Sequence, residues 1–150
     1  MADEFYTLGG WDNPDSYKAA IILLTDKLGR VSIQFRDDFE GVALGGLWGL
    51  FGGEIEDGET ARQAAVRELS EETGIVVDQN NLTPFVKTLS ETSGNGQLYV
   101  YLCNRIVDAS ELSLQEGAGF AYIHYGQLDQ FNLIPAANRV LSYYFTKNGG

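Results

Sequence analysis

Residues 53–75 read GEIEDGETARQAAVRELSEETGI, and this stretch predicts a glycine-containing turn followed by one helix. The helix should begin near Thr60, because T-A-R-Q at 60–63 has the form of a capping box, in which the first and fourth residues exchange hydrogen bonds. Alanine, valine and leucine side chains at 64–69 supply a packing side. Gly74 is well placed to end the helix in the left-handed conformation.

Three glutamates crowd the last turns of this predicted helix. Residues three and four positions apart share a helix face, so Glu68, Glu71 and Glu72 should lie together, and like charges at that spacing destabilise a bare helix. A hard divalent cation converts the repulsion into coordination, since Mg²⁺ and Mn²⁺ prefer carboxylate oxygen. The cluster therefore predicts a metal site, and the natural ligand of a carboxylate-held Mg²⁺ is a phosphate chain.

The spacing of the fixed residues resembles the Nudix box of MutT-like Nudix hydrolases. The nine specified positions are Gly53, Glu59, Arg67, Glu68, Leu69, Glu71, Glu72, Gly74 and Ile75. All nine are filled within 23 residues, which a chance match would rarely reproduce. Many relatives carry Leu-Pro-Gly-Gly at the start of the box, whereas this chain has L-F-G-G at 50–53, so the fixed φ of proline is lost.

The resemblance implies a role for each charged position of the box. Glu68, Glu71 and Glu72 correspond to the metal-binding carboxylates, and the backbone carbonyl of Gly52 corresponds to the group that often completes the coordination. Arg67 corresponds to the residue that pairs with and orients these carboxylates. Its positive charge would also favour their ionised form, which a metal requires.

Four further positions in or beside the box have possible structural roles. Glu59 is either a structural partner of Arg67 or an aid to the metal through a water molecule. Phe51 either packs inward or faces the substrate. Leu69 and Ile75 are expected to be core contacts only.

The general base has several candidates. E-G at 116–117 lies in a loop well after the box, as does the Glu-Gly of the MutT-like branch, where that glutamate contacts metal or activates water. The resemblance therefore implies that Glu116 is catalytic. Glu91 and Glu111 are its rivals, and Glu72 is the candidate within the box itself.

Composition predicts one globular domain over residues 1–150 in the cytoplasm. The apolar content of 44% is that of a soluble protein with a proper core, and no apolar run reaches the 18 residues of a membrane span. The N-terminal segment lacks the features of a secretory signal, and the single cysteine, Cys103, fits a reducing compartment. Cys103 and the only histidine, His124, are expected to be structural.

The net charge of −11 argues against a nucleic-acid polymer as the partner, because such proteins usually carry a basic patch. A small nucleotide or other nucleoside diphosphate derivative remains compatible if metal ions neutralise the site. A homodimer is compatible with the family resemblance.

The rest of the chain predicts a mixed β protein with a second helix at its end. Apolar or alternating segments favour strands at 17–25, 30–36, 47–51, 86–91, 97–107 and 119–125, with the first two forming a hairpin. Residues 134–147 favour an amphipathic helix with Pro135 near its first turn. The pattern indicates an α+β class, and the resemblance implies an α/β/α sandwich, a mixed sheet between helices beside the catalytic loop–helix–loop.

The resemblance implies a Mg²⁺- or Mn²⁺-dependent hydrolase of the pyrophosphate bond in a nucleoside diphosphate linked to a further group. That substrate would be a nucleoside triphosphate, an oxidised nucleotide or a nucleotide sugar. Aromatic candidates for stacking on a base, each with a core role as its alternative, are Trp11, Phe35, Trp48 and Phe131. The alternative functions are a catalytically silent nucleotide sensor, which typically loses box glutamates, and a diphosphate isomerase, whose additional cysteine and glutamate pattern is not recognisable here.

Overall fold

The computed structural model describes residues 3–36, 47–114 and 119–148, and their strands form two sheets. The strands are β1 (Tyr6–Thr7), β2 (Lys18–Leu23), β3 (Val31–Arg36), β4 (Leu47–Gly49), β5 (Phe51–Glu54), β6 (Leu82–Ser90), β7 (Gly96–Cys103) and β8 (Gly119–Ile123). The helices are α1 (Ala61–Thr73) and α2 (Pro135–Lys147). A five-stranded mixed sheet has the order β1-β6-β7-β2-β5, and a three-stranded antiparallel sheet has the order β4-β3-β8.

The five-stranded sheet lies between the two helices, which confirms the predicted α+β architecture. Strand β2 shows why, because its side chains alternate between two apolar clusters. Ile21 and Leu23 belong to the cluster that contains the buried side chains of α2, whereas Ala20 and Ile22 belong to the cluster that contains those of α1. A strand covered on both faces needs a continuous apolar sequence, which is what residues 19–24 provide.

The hairpin predicted for the first two long strands is only partly correct. The turn exists, because Thr25 pairs with Val31 and the Ser32 amide donates to the Leu24 carbonyl at 3.0 Å. Beyond it the strands separate: β2 is flanked by β5 and β7, whereas β3 pairs with β4 and β8. Because both edges of β2 are occupied, β3 must join another sheet. The strand predicted at 47–51 divides in the same way at Leu50, into β4 and β5.

The predicted limits of both helices are confirmed. Thr60 and Gln63 form the capping box, with the Gln63 amide donating to Thr60 Oγ1 at 3.0 Å and the Thr60 amide donating to Gln63 Oε1 at 2.9 Å. Gly74 ends α1 with a φ of 75°, and its amide donates to the Ser70 carbonyl. Pro135 occupies the first turn of α2. Over the described ranges, neither helix has the length and apolar character needed to cross a bilayer.

Cys103 and His124 occupy positions consistent with structural roles. Cys103 ends β7 and is buried among the side chains that pack on α1, and burial raises the pKa of its thiol. His124 follows β8 rather than lying within it, and it is exposed. Its amide donates to the side chain of Gln127, and His124 thereby caps the short 3-10 helix Tyr125–Gln130.

Candidate active site

Strand β5 carries Gly52 and Gly53 to the side of α1. It pairs antiparallel with β2, so that Gly52 lies opposite Ile21 and Gly53 lies opposite Ala20. Gly52 is buried and has a φ of 146°, and a Cβ atom at this position would lie 2.8 Å from the Ile21 Cα. This backbone conformation and close approach require glycine.

Glu72 connects this glycine pair to the end of the box helix. Its carboxylate accepts a hydrogen bond from the Gly52 amide at 2.8 Å, and the residue is only 4% exposed. A bond from a backbone amide to a buried carboxylate is charge-assisted and therefore comparatively strong. The distance between the glycine pair and the last turn of α1 is thus set by a side chain and not by packing alone.

Glu68 occupies the space that Gly53 leaves by having no side chain. A Cβ atom on Gly53 would lie 2.5 Å from each carboxylate oxygen of Glu68. The Glu68 side chain is 15% exposed and its Oε1 atom lies 3.0 Å from Nη1 of Arg67. The carboxylate is therefore held between the glycine backbone and a guanidinium group.

Arg67 contacts three glutamates of the box. It makes two parallel hydrogen bonds to Glu59, from Nε to Oε2 at 2.7 Å and from Nη2 to Oε1 at 2.9 Å. Nη1 donates to Oε1 of Glu68 at 3.0 Å and to Oε1 of Glu71 at 3.1 Å. Nη2 also donates to the Glu54 carbonyl of β5. One side chain thereby orients two box glutamates and fixes α1 against the strand.

Glu59 is a partner of Arg67, as the first of its two alternatives predicts. The hydrogen bonds from Arg67 lower the pKa of Glu59 from 4.5 to about 2, and a backbone hydrogen bond from Glu56 adds to the effect. The same pairing, chiefly with Glu59, raises the pKa of Arg67. Both groups therefore stay charged across the physiological pH range.

The three box glutamates lie in different environments. Glu72 is buried, Glu68 is largely covered, and the side chain of Glu71 is 51% exposed. Within the described parts of the chain, no three His, Cys, Asp or Glu side chains are gathered closely enough to hold a metal ion. Glu68 and Glu71 nevertheless converge on the same Arg67 nitrogen, and an all-carboxylate donor set suits a hard divalent cation.

A cleft of about 160 Å³, here called the box cleft, opens beside the glycine pair on the α2 side of the five-stranded sheet. It is lined by Tyr17, Ala19, Ile21, Gly49, Leu50, Gly52, Gly53, Ser90, Thr92, Ser93, Leu98, Ile134 and Ala137. Aliphatic side chains therefore contribute much of its lining. Ser90, Thr92 and Ser93, at the end of β6 and in the turn to β7, add hydroxyl-bearing side chains. Such a surface can accommodate a flat apolar ring and donate hydrogen bonds to its polar edge.

Arg139 of α2 contacts the end of β6 and the turn that follows it, next to the residues of that turn that line the box cleft. Its Nη1 atom donates to Thr88 Oγ1 at 2.8 Å and to the Leu89 carbonyl at 3.1 Å, at the end of β6. Its Nη2 atom pairs with the carboxylate of Glu91, in the turn that supplies the hydroxyl groups. No spacing in the sequence marks this contact, because its partners lie about 50 positions earlier in the chain.

The candidate general bases are distributed over different places. Glu91 pairs with Arg139, and Glu111 pairs with Arg105 at 2.7 Å while accepting the Asp108 amide. Glu116 lies outside the described residues. Three positions before Glu116 the chain contacts the box helix, because the Ser113 amide donates to the Thr73 carbonyl at the end of α1.

The aromatic and apolar candidates are mostly placed in packing contacts. Trp48 lies edge-on to Phe131 and tilted against Phe35, each at a ring separation of 5.1 Å. Phe51 is completely buried, so of its two alternatives the inward one is correct. The expected core roles of two box residues are also confirmed, since Leu69 and Ile75 are buried among the α1 contacts.

Comparison with known proteins supports the similarity of the box and of the fold. A family model of the NUDIX domain matches residues 16–145. The chain is 44% identical to an RNA pyrophosphohydrolase of Dinoroseobacter shibae over 75 residues. The matched residues make up 50% of this chain and 41% of that protein. It is 54% identical to an 8-oxo-dGTP diphosphatase of Proteus vulgaris over 39 residues, and these residues make up 26% of this chain and 35% of that protein. The chain thus matches about two-fifths or less of these relatives' length.

A solved structure from work on MutT of Aliivibrio salmonicida and Vibrio cholerae shares the fold. The two structures agree with a TM-score of 0.70 at 22% sequence identity, over 87% of this chain and 98% of that chain. At this level of identity the likeness concerns the fold alone.

Proposed function

This chain belongs to the NUDIX domain family, and we propose that it is a MutT-like pyrophosphohydrolase acting on a nucleoside diphosphate linked to a further group. The observation that carries the proposal is the complete box folded as one unit, with Arg67 orienting Glu68 and Glu71 while Glu72 holds Gly52. A catalytically silent sensor would have no need to retain every charged position of the box.

Nudix hydrolases generally use divalent metal ions. In this chain the carboxylates of Glu68, Glu71 and Glu72, with the carbonyl of Gly52, would hold Mg²⁺ or Mn²⁺. The bound ion would polarise phosphate oxygens and lower the pKa of a coordinated water molecule. Arg67 would keep two of the carboxylates oriented and ionised, so that little reorganisation accompanies the reaction.

The reaction consumes one water molecule. Its oxygen bonds to one phosphorus atom, the bond from that phosphorus to the bridging oxygen breaks, and both products end in phosphate groups. The protein removes one proton from the water through a general base. Positioning and electrostatic stabilisation supply most of the remaining catalysis.

The box cleft is the proposed place of the nucleoside. It adjoins Gly52 and Gly53, so a ring held there would direct its phosphates towards the box. Sites for drug-sized ligands are usually 300–1,000 Å³, so a cleft of about 160 Å³ would enclose part of a nucleotide and leave the phosphates outside. Together with the net charge of −11, this favours a small nucleotide over a polymer.

Glu116 remains the proposed general base. It comes three positions after Ser113, which is hydrogen-bonded to the end of the box helix, whereas Glu91 and Glu111 already pair with arginines. A general base contributes typically about 10²–10⁴-fold, so Glu116→Gln should lower kcat by that order and alter the acidic limb of the pH–rate profile. Glu91→Gln and Glu111→Gln, with kcat measured at saturating substrate, serve as matched controls. If a control loses activity while Glu116→Gln retains it, the assignment is wrong; if all three are active, Glu72 becomes the candidate.

A product-release assay tests the proposed activity directly. Purified protein is incubated with nucleoside triphosphates, an oxidised guanine triphosphate, nucleotide sugars, dinucleotides and 5′-triphosphorylated RNA, each with Mg²⁺, Mn²⁺ or excess chelator. We expect turnover of at least one small nucleotide that disappears in chelator and returns with metal. Tight nucleotide binding without turnover would favour the sensor function, and full activity in excess chelator would contradict the metal-dependent mechanism.

A further inference from the structure

A second and larger cleft lies on the opposite face of the five-stranded sheet, near the start of α1. Its volume is about 870 Å³, and the residues that matter for its chemistry are Phe5, Lys18, Lys87 and Tyr99. Here it is called the lysine cleft. None of these residues lines the box cleft.

Strand register brings the two lysines to one surface although they are 69 positions apart in the chain. Ala20 of β2 and Lys87 of β6 both lie opposite Tyr99 of β7, and residues directly opposite each other share a face. Lys18 precedes Ala20 by two residues and therefore points to the same face. Lys18 and Lys87 thus flank Tyr99 from the two neighbouring strands.

Two of the carboxylates around the lysine cleft are already neutralised. Asp3 accepts hydrogen bonds from Arg62, at 2.9 and 3.2 Å, and from the Tyr101 hydroxyl at 2.8 Å. These bonds, with the one from Arg62 the largest influence, lower the pKa of Asp3. Glu59 is held by Arg67 on the other side of the cleft. Neither Asp3 nor Glu59 therefore competes strongly for the lysines.

Lys18 and Lys87 make no salt bridge with any carboxylate in the described residues. The cations that do so are Lys27, Arg30, Arg62, Arg67, Arg105 and Arg139. Lys87 instead lies over the Trp11 ring at 4.6 Å. Glu4, which is exposed, is the remaining acidic residue of the lining. With Asp3 and Glu59 held by arginines, the lining therefore offers two lysines outside any salt bridge against one further carboxylate, that of Glu4, in a chain with a net charge of −11.

Half-buried aromatic rings lie beside the lysines. Phe5 packs edge-on between Tyr99 and Tyr101, at ring separations of 5.3 and 5.2 Å. Trp11 meets Tyr99 at 6.3 Å. Phe5 and Tyr99 both line the cleft and are partly exposed, so apolar ring surface is available next to the two ammonium groups.

We propose that the lysine cleft binds a ligand that joins a planar ring to a phosphate group, of the nucleoside monophosphate class. Lys18 and Lys87 would contact the phosphate as charge-assisted donors, and Phe5 and Tyr99 would contact the ring. The volume of the cleft lies within the range usual for sites of this kind. This binding does not require the box cleft, because the two clefts share no lining residue.

Nuclear magnetic resonance of the full chain tests the proposal without any substitution. The protein has two tryptophans, so its two indole N–H signals can be assigned with Trp11→Phe. Adenosine 5′-monophosphate is titrated in excess chelator, with adenosine and inorganic phosphate in parallel. We expect the nucleotide to shift the Trp11 indole and the Tyr99 and Lys87 amides, while the Trp48 indole stays unchanged.

Charge-matched double variants then identify the lysines. Lys18→Ala with Lys87→Ala should weaken the binding of the nucleotide by about 10-fold or more, the order expected for losing charge-assisted contacts. Lys27→Ala with Lys147→Ala removes the same charge elsewhere and should bind as the wild type does.

The proposal is overturned if the nucleotide shifts none of these signals, or if the two double variants bind it equally. Equal binding of adenosine would remove the role of the phosphate, and equal binding of inorganic phosphate would remove the role of the ring. Retention of the lysine-dependent shifts in an inactive box variant would show that this site is separate from the proposed catalytic one.

Discussion

Substitution of Gly53 by alanine should inactivate the box without unfolding the protein. Gly53 does not have a positive φ, so alanine can adopt its backbone conformation. The new methyl group would lie 2.5 Å from both carboxylate oxygens of Glu68. Because those atoms form the far end of a flexible side chain, the carboxylate can move away while the sheet stays in place.

The distances set the expected size of the effect. Ordinary contact with a Cβ atom begins at 3.4 Å, so the Glu68 carboxylate must move by about 1 Å. A misplacement of that size at a catalytic group costs on the order of 10²-fold in rate. The free energy of unfolding should change by less than about 1 kcal/mol, because the gain of about 0.4–1 kcal/mol from restricting the unfolded chain is offset by the displaced contact of Glu68 with Arg67.

Gly52→Ala is the matched comparison, one residue earlier in the same strand. Its φ of 146° and its approach to the Ile21 backbone should cost at least about 2 kcal/mol of stability. Thermal unfolding and metal-dependent nucleotide turnover are measured for both variants. Wild-type kcat in Gly53→Ala, or a melting temperature reduced as far as that of Gly52→Ala, would refute the assignment of Glu68 as a group whose position matters for activity.

Three further outcomes test other contacts. Glu72→Gln should keep its bond to the Gly52 amide, and hence its melting temperature, but lose about 10²-fold in kcat; unchanged kcat would make Glu72 purely structural. Glu59, with a folded pKa of about 2 against 4.5, stabilises the protein above about pH 4.5 and loses this contribution as the pH falls towards 2. In Glu59→Gln the free energy of unfolding, measured by denaturant titration, should therefore fall less steeply between about pH 4.5 and 2 than in the wild type. An unchanged pH dependence would contradict the pairing. Arg139→Met should raise KM more than kcat in steady-state kinetics, because it releases Glu91 and with it the turn that supplies Thr92 and Ser93 to the box cleft; equal effects on both would place this turn outside substrate binding.

Local features of the site were predictable because they depend on neighbours in the chain. The capping box of Thr60 and Gln63 joins residues three positions apart, and the left-handed end at Gly74 reflects the conformational freedom of one residue. The ends of α1 and α2 were therefore placed correctly. The pairing of Arg67 with Glu59 was one of two alternatives, since the sequence shows their spacing but not the direction of either side chain.

Strand partners and edges were less predictable. Strands β2 and β3 are adjacent in sequence and share a turn, which favoured a hairpin. Their separation follows from the occupation of both edges of β2 by β5 and β7, and those partners arrive from distant parts of the chain. Burial on both faces of β2 could be read from its apolar run, whereas the identity of its neighbours could not.

Residue spacing was enough to predict the family, the box helix with its ends, the carboxylates that crowd its last turns, and the α+β class. These depend on spacing within one element, where helical geometry relates positions to directions. Three contacts became visible only in the folded chain: the bond from the Gly52 amide to Glu72, the contact of Arg139 with the end of β6, and the position of Lys18 and Lys87 on either side of Tyr99. Such contacts depend on strand order and register, which are settled by the simultaneous burial of many side chains and not by any one segment.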